Sequence, residues 1–222
     1  MIIDRQAQIE LLDFNKGGGL VPLIAQHAHT GEILMLGYAD REALARTLAG
    51  GEVCFFSRSR GRLWRKGESS GHTLALVSLH ADCDGDAVVA LVVPAGPTCH
   101  SGARSCFEAH PTLVALAAVL EDRAAAFANS AGNTEGPDRR PAEAAPGSYT
   151  RRLLADRNLR LKKLAEEAAE LALACTEADP SAVAAEAADL LYHALVACRA
   201  AGVDVDDILA VLAGRRRAGR SL

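Results

Sequence analysis

Asp82, Asp84 and Asp86 alternate around Cys83 in the string DCDGDA, and Cys99, His100 and Cys106 follow in GPTCHSGARSC. On an extended backbone the three carboxylates point to one side and Cys83 to the other. Three carboxylates on one side repel unless a hard cation holds them, and oxygen donors of this kind suit Mg²⁺ or Ca²⁺. An EF-hand also begins D-x-D-x-D, but here its sixth position would be Ala87, not glycine, and its twelfth Val93, not glutamate. Three thiolates with a position left for water is the composition of a catalytic zinc site, whereas a structural site normally has four protein ligands. The C-x15-C-x6-C spacing is not that of a zinc finger. His100 then reads as a fourth ligand or a proton-transfer group beside a metal that lowers the pKa of its water to about 7. An acidic turn with small apolar cysteines explains one Asp or one Cys. It explains three of each within 25 residues poorly. The H-x-E and P-C-x-x-C strings of zinc nucleoside deaminases are missing.

Upstream, Arg58, Arg60, Arg62, Arg65 and Lys66 fall within nine residues around the one tryptophan, Trp64. Such a run can clamp phosphate groups, with Gly61, Gly67 and Gly71 allowing close backbone approach. For any single arginine a solvated strand face is an equal explanation.

Two further acidic motifs lie near the C-terminus. Glu166 and Glu170 are spaced i, i+4 with Glu167 beside them; Glu186 and Asp189 are spaced i, i+3, with His193 a turn further along the same stripe. Between Ser181 and Cys198, Glu186 and Asp189 are the only charged residues apart from that histidine. A helix apolar almost all round is expected to be buried, with its carboxylates facing a partner. Facing acidic stripes on two helices make a Mg²⁺ cradle for cutting a phosphoanhydride. Exposed acids on an Ala/Glu helix are an even competitor for the first motif alone.

The elements that must position these groups change along the chain. Residues 20–107 carry short β-like runs (LVPLIAQ, GEILMLGY, EVCFFSRS, TLALVSLHADC, DAVVALVVP) interrupted by one helix, ADREALARTLAG, with Asp40 as its cap. That is a small α+β domain on antiparallel strands. After Phe107 the texture is helical and Ala-rich, in four runs beginning at Thr112, Arg151, Val183 and Asp204, which predicts an all-α bundle. Residues 129–147, with three prolines and no aliphatic side chain larger than alanine, read as a flexible loop. Two domains suit 222 residues. A net charge of −4 argues against a nucleic-acid partner, and Arg215, Arg216 and Arg217 read as a solvated tail. No signal-peptide pattern opens the chain, and no run reaches the ~18 uninterrupted apolar residues of a membrane span. A cytoplasmic, soluble protein with reduced cysteines is the expectation.

GEVCFFSRSRGRLWRKGESSGHTL, DCDGDA and GPTCHSGARSCF together resemble the phosphoribosyl-AMP cyclohydrolase family over residues 20–107. The resemblance implies Mg²⁺ on Asp82, Asp84 and Asp86, and zinc on Cys83, Cys99 and Cys106, with the zinc ligands shared across a homodimer. Zinc-activated water would then open an N1-alkylated adenine ring between N1 and C6. Glu68 and Ser69 stand in a G-E-T-S-G-like string, which places them with Arg58, Arg62, Trp64, Arg65 and Lys66 as substrate-binding candidates. Ser148-Tyr149-Thr150, Lys163, the two acidic motifs, DLLYH and the pattern Leu113, Leu116, Val119, Leu120, Arg123 resemble phosphoribosyl-ATP pyrophosphatase over residues 112–216. That resemblance implies Mg²⁺ on Glu166, Glu167, Glu170, Glu186 and Asp189, and substrate contact by Lys163. It moves the domain boundary to residues 109/110 and makes 129–147 an internal loop. Pyrophosphate removal would precede ring opening. A general nucleoside triphosphate pyrophosphohydrolase fused to a non-enzymatic zinc domain is the competing reading.

Overall fold

The structure is a computed structural model that describes residues 1–131, 149–177 and 179–217. It divides into two compact units, Met1–Pro111 and Thr112–Leu222.

The first unit is α+β. Its five-stranded sheet runs β1 (Ile2–Ile3), β6 (Leu74–Ala81), β7 (Val88–Pro94), β2 (Val21–His27), β3 (Ile33–Ala39) in spatial order. All neighbours are antiparallel except β2 and β7, which pair in parallel. Strand texture alone does not reveal that pairing. The alternation along β2 buries Val21, Leu23, Ala25 and His27 on one face. Val21, Leu23 and Ala25 join Phe14, Leu44 and Phe55 in the core.

Besides the short α1 (Gln6–Ile9), this unit contains α2 (Arg41–Gly50). Asp40 starts α2 as the sequence indicates, accepting a hydrogen bond from the Ala43 N–H at 2.7 Å. Gly51, at φ +68°, ends it in the left-handed conformation that side chains disfavour. The basic run belongs to a hairpin. β4 (Cys54–Ser57) pairs with β5 (Arg62–Arg65), setting Phe55 opposite Trp64. Their rings stack with centroids 5.2 Å apart, which ties Trp64 to the core.

The second unit is all helical: α3 (Thr112–Ala131), α4 (Tyr149–Ala155), α5 (Arg157–Glu177), α6 (Pro180–Ala200) and α7 (Val205–Arg217). Leu120, Leu153, Leu195, Val196 and Val205 form its core. The run expected as one helix from Arg151 breaks at Asp156, whose carboxylate caps α5 by accepting from the Asn158 and Leu159 N–H groups at 2.9 and 3.0 Å. Of the expected loop 129–147, residues 129–131 complete α3 and the rest, like Ser148, lies outside the described residues. The basic run expected as a tail continues α7, which extends to Arg217, and Arg215 is exposed there.

The expectation that α6 is buried fails within one chain. Ala184, Ala185, Ala187, Ala188 and Leu191 are exposed, because α6 covers only one side against its neighbours. Among the described residues it is the one helix long and apolar enough, by length and composition, to cross a membrane. Glu186 and Asp189 interrupt that apolar run.

Candidate active sites

In the first unit Asp82, Asp84 and Asp86 bring one oxygen each to within 4.8 Å of one another, just beyond the end of β6. The Asp82 carboxylate also accepts from the Asp86 and Ala87 N–H groups at 3.1 and 3.3 Å, which curls the turn around itself. A positive charge already stands among the carboxylates. Lys16 places its ammonium 2.7 Å from Asp84 and 3.0 Å from Asp86. This contact holds the Asp84 carboxyl below its usual range and pushes the Lys16 pKa up. A cluster that binds an ammonium through two carboxylates has the charge and donor set for a hard divalent cation.

The cysteines are divided. Cys99 and Cys106 lie together in the segment after β7, near enough for each to shift the pKa of the other. Cys83 stays with the aspartates, 3.9 Å from an Asp84 oxygen, and the three sulfurs do not converge within one chain among the described residues. The Ser101 hydroxyl donates to Cys99 Sγ at 3.1 Å and, with its N–H, lowers the pKa of that thiol. Desolvation, then the neighbouring Cys99 charge, raises that of Cys106. His100 is exposed, with Nδ1 3.7 Å from Cys99 Sγ.

Two buried polar groups accompany this pair: Thr98, which nothing in the sequence marked, and Lys66, already a substrate-binding candidate. The Thr98 hydroxyl is buried with no hydrogen-bond partner among the described residues. Lys66 is also buried, 8 % exposed, and donates to the His72 carbonyl at 3.1 Å. Desolvation pushes its pKa down while the thiols of Cys106 and Cys99 pull it up. The ammonium lies within electrostatic reach of both thiols.

The remaining basic side chains are engaged in different ways. Arg58 lies 3.8 Å from the centroid of the Tyr38 ring, and Arg62 is 3.9 Å from Glu68. Arg65 is ion-paired to Glu52. Arg58, Arg62, Arg65, Glu68 and Ser69 are all exposed.

In the helical unit the two acidic stripes meet. Glu167 on α5 and Glu186 and Asp189 on α6 bring oxygens within 4.8 Å of one another. Glu170 stands at the rim, where the charges of Glu167 and Glu186 raise its pKa. Glu166 turns to Lys162 and Lys163 at 3.3 and 3.0 Å. Lys163 also reaches Glu167, at 3.2 Å.

Glu167 is the buried member, and His193 Nε2 lies 3.5 Å from it. The other ring nitrogen of His193 is buried with no hydrogen-bond partner among the described residues. Tyr149 and Tyr192 set their rings edge-on to that histidine. Behind them the Thr150 hydroxyl joins Arg123 at 2.5 Å and Tyr192 at 2.7 Å, gathering three residues from distant parts of the chain.

Comparison with known proteins gives two family matches. Residues 35–108 match the model described as phosphoribosyl-AMP cyclohydrolase, and residues 138–216 the model described as phosphoribosyl-ATP pyrophosphohydrolase. The chain is 42 % identical to the histidine biosynthesis bifunctional protein HisIE of Shewanella oneidensis over 93 % of this chain and 92 % of that protein. It is 44 % identical to the protein of that name from Xanthomonas axonopodis pv. citri, over 93 % of each. The Staphylococcus aureus protein is 42 % identical over 92 % of this chain and 90 % of its own length.

Proposed function

The chain belongs to the family of bifunctional histidine-biosynthesis proteins, and from that premise we propose how its two units act. The helical unit removes pyrophosphate from phosphoribosyl-ATP, and the sheet unit opens the adenine ring of the resulting phosphoribosyl-AMP between N1 and C6. The observation that carries this reading is the presence of two donor sets of different chemistry. One is all oxygen, on α5 and α6; the other combines carboxylates and thiols after β6 and β7.

In the helical unit Glu167, Glu186 and Asp189 would hold Mg²⁺, with Glu166 and Glu170 at the rim. Bound there, Mg²⁺ supplies the positive charge that a departing pyrophosphate needs. Glu166 and Glu167 raise the pKa of Lys163, so it keeps its charge at neutral pH and offers phosphate oxygens a permanent cation. His193 holds the Glu167 carboxylate in place.

In the sheet unit Cys83, Cys99 and Cys106 would hold zinc and Asp82, Asp84 and Asp86 would hold Mg²⁺. Zinc there supplies a Lewis acid that makes water nucleophilic at neutral pH. His100 takes the proton released by the attacking water and returns it to N1 as the ring opens. Arg58 and Arg62, with Glu68 and Ser69 on the following turn, bind the phosphate and ribose end of the substrate. The separation of Cys83 from the other two thiols within one chain supports a homodimer that completes the site across subunits. The exposed apolar side of α6 is a further surface that association would cover. The protein acts in the cytoplasm in this reading.

Zinc-selective chelation tests the division of labour. Ring opening is expected to stop while pyrophosphate release continues in Mg²⁺; loss of both steps together would contradict it.

A further inference from the structure

Glu32 is fully buried immediately before β3, and nothing in its sequence neighbourhood marks it as part of a site. One of its carboxylate oxygens is 2.5 Å from Arg104 Nε and the other 2.6 Å from His110 Nδ1. Arg104 stands between Cys99 and Cys106. The same stretch is stitched to the first residues of β3 by its backbone and a hydroxyl. The Cys106 N–H donates to the Leu34 carbonyl at 2.8 Å, and the Ser105 hydroxyl donates to the Ile33 carbonyl at 2.8 Å. The Glu32 carbonyl in turn accepts from the His27 N–H at 2.7 Å, which locks Glu32 to the end of β2.

A buried carboxylate is retained only where partners compensate its lost hydration. Here those partners come from the segment that carries two of the thiols. Loops hold a ligand geometry less well than strands unless something pins them to the sheet. We propose that Glu32 is a positioning residue for the Cys99–Cys106 pair: through Arg104 it sets how tightly, and in what geometry, the pair grips zinc. The proposal rests on the zinc reading above and adds a residue to it.

The test is zinc affinity, measured by chelator competition on the full-length protein, together with the thiolate-to-metal absorption of the cobalt-substituted form. Glu32→Gln is expected to weaken zinc binding about 10- to 100-fold, the usual effect of losing a supporting partner. It should shift the cobalt spectrum and leave pyrophosphate release unchanged. Arg104→Gln removes the exposed end of the same pair and should reproduce the loss, with the double variant no worse than either single one. It also carries the test if Glu32→Gln does not fold. Wild-type zinc affinity and an unaltered cobalt spectrum in Arg104→Gln would overturn the proposal. Failure of the wild-type protein itself to bind zinc through Cys99 and Cys106 would instead overturn the zinc reading beneath it.

Discussion

Lys16 places its ammonium 2.7 Å from Asp84, so a residue far away in sequence supplies a cation to a cluster of three carboxylates. A divalent ion entering that cluster must displace it. Lys16→Met should therefore tighten Mg²⁺ binding there by roughly two- to fivefold, the scale of one solvent-exposed ion pair. Titration calorimetry with Mg²⁺ reads this directly. Weaker binding in the variant would show that Lys16 supports the metal and does not compete with it.

His193 makes a different contribution. It lies 3.5 Å from Glu167 and is itself buried between two tyrosine rings. If it orients Glu167, His193→Gln should lower kcat for pyrophosphate release by about 10- to 100-fold with little change in KM. Steady-state kinetics on phosphoribosyl-ATP decide the matter, and a change confined to KM would count against an orienting role.

Phe55 joins the hairpin that bears the basic residues to the core. It is fully buried, stacks on Trp64 and packs its ring against Gly37, where a side chain would collide with it. Phe55→Ala should cost about 3–5 kcal/mol. Denaturant unfolding of the sheet unit, followed through the fluorescence of Trp64, measures the loss.

Glu52 gives the acid limb of stability a specific component. Arg65, and after it Thr73, hold its carboxyl below the ordinary value of 4.5. A carboxyl depressed in the folded state stabilises the protein above its unfolded pKa and loses that contribution as pH falls through the folded pKa. The denaturation midpoint of wild type should exceed that of Glu52→Gln at neutral pH, and the gap should close as pH falls below the ordinary value of 4.5 and through the lowered folded-state value. The pair is partly solvated, so the gap is small and should shrink in high salt.

These relationships divide by how far apart in sequence their members lie. The Asp40 cap, the acidic stripes of α5 and α6 and the clustering of Asp82, Asp84 and Asp86 are local features, although the three aspartates gather in a turn and not along the extended backbone that their alternation suggests. They were legible in the sequence, as was the change from sheet to helix near residue 110. Contacts between distant residues were not. Lys16 with Asp84, Glu32 with Arg104, and Arg123 with Thr150 are ordinary polar residues until the fold brings them together. The parallel pairing of β2 with β7 is hidden for the same reason. Asp156 could have been found: an aspartate within a long helical run is a good cap and a poor interior residue. The burial expected for α6 came from its composition, which does not say whether the covering surface belongs to the same chain.

Two consecutive hydrolyses at two separate sites are the centre of this account. They are tested most directly by a coupled assay on phosphoribosyl-ATP with Mg²⁺ and Zn²⁺, following pyrophosphate release and the absorbance change of ring opening in wild type, Cys99→Ala and Asp189→Ala. Cys99→Ala should release pyrophosphate and stop at phosphoribosyl-AMP, whereas Asp189→Ala should leave phosphoribosyl-ATP intact yet open the ring of supplied phosphoribosyl-AMP. Loss of both steps in either folded variant, or of neither in both, would contradict the assignment of one reaction to each unit.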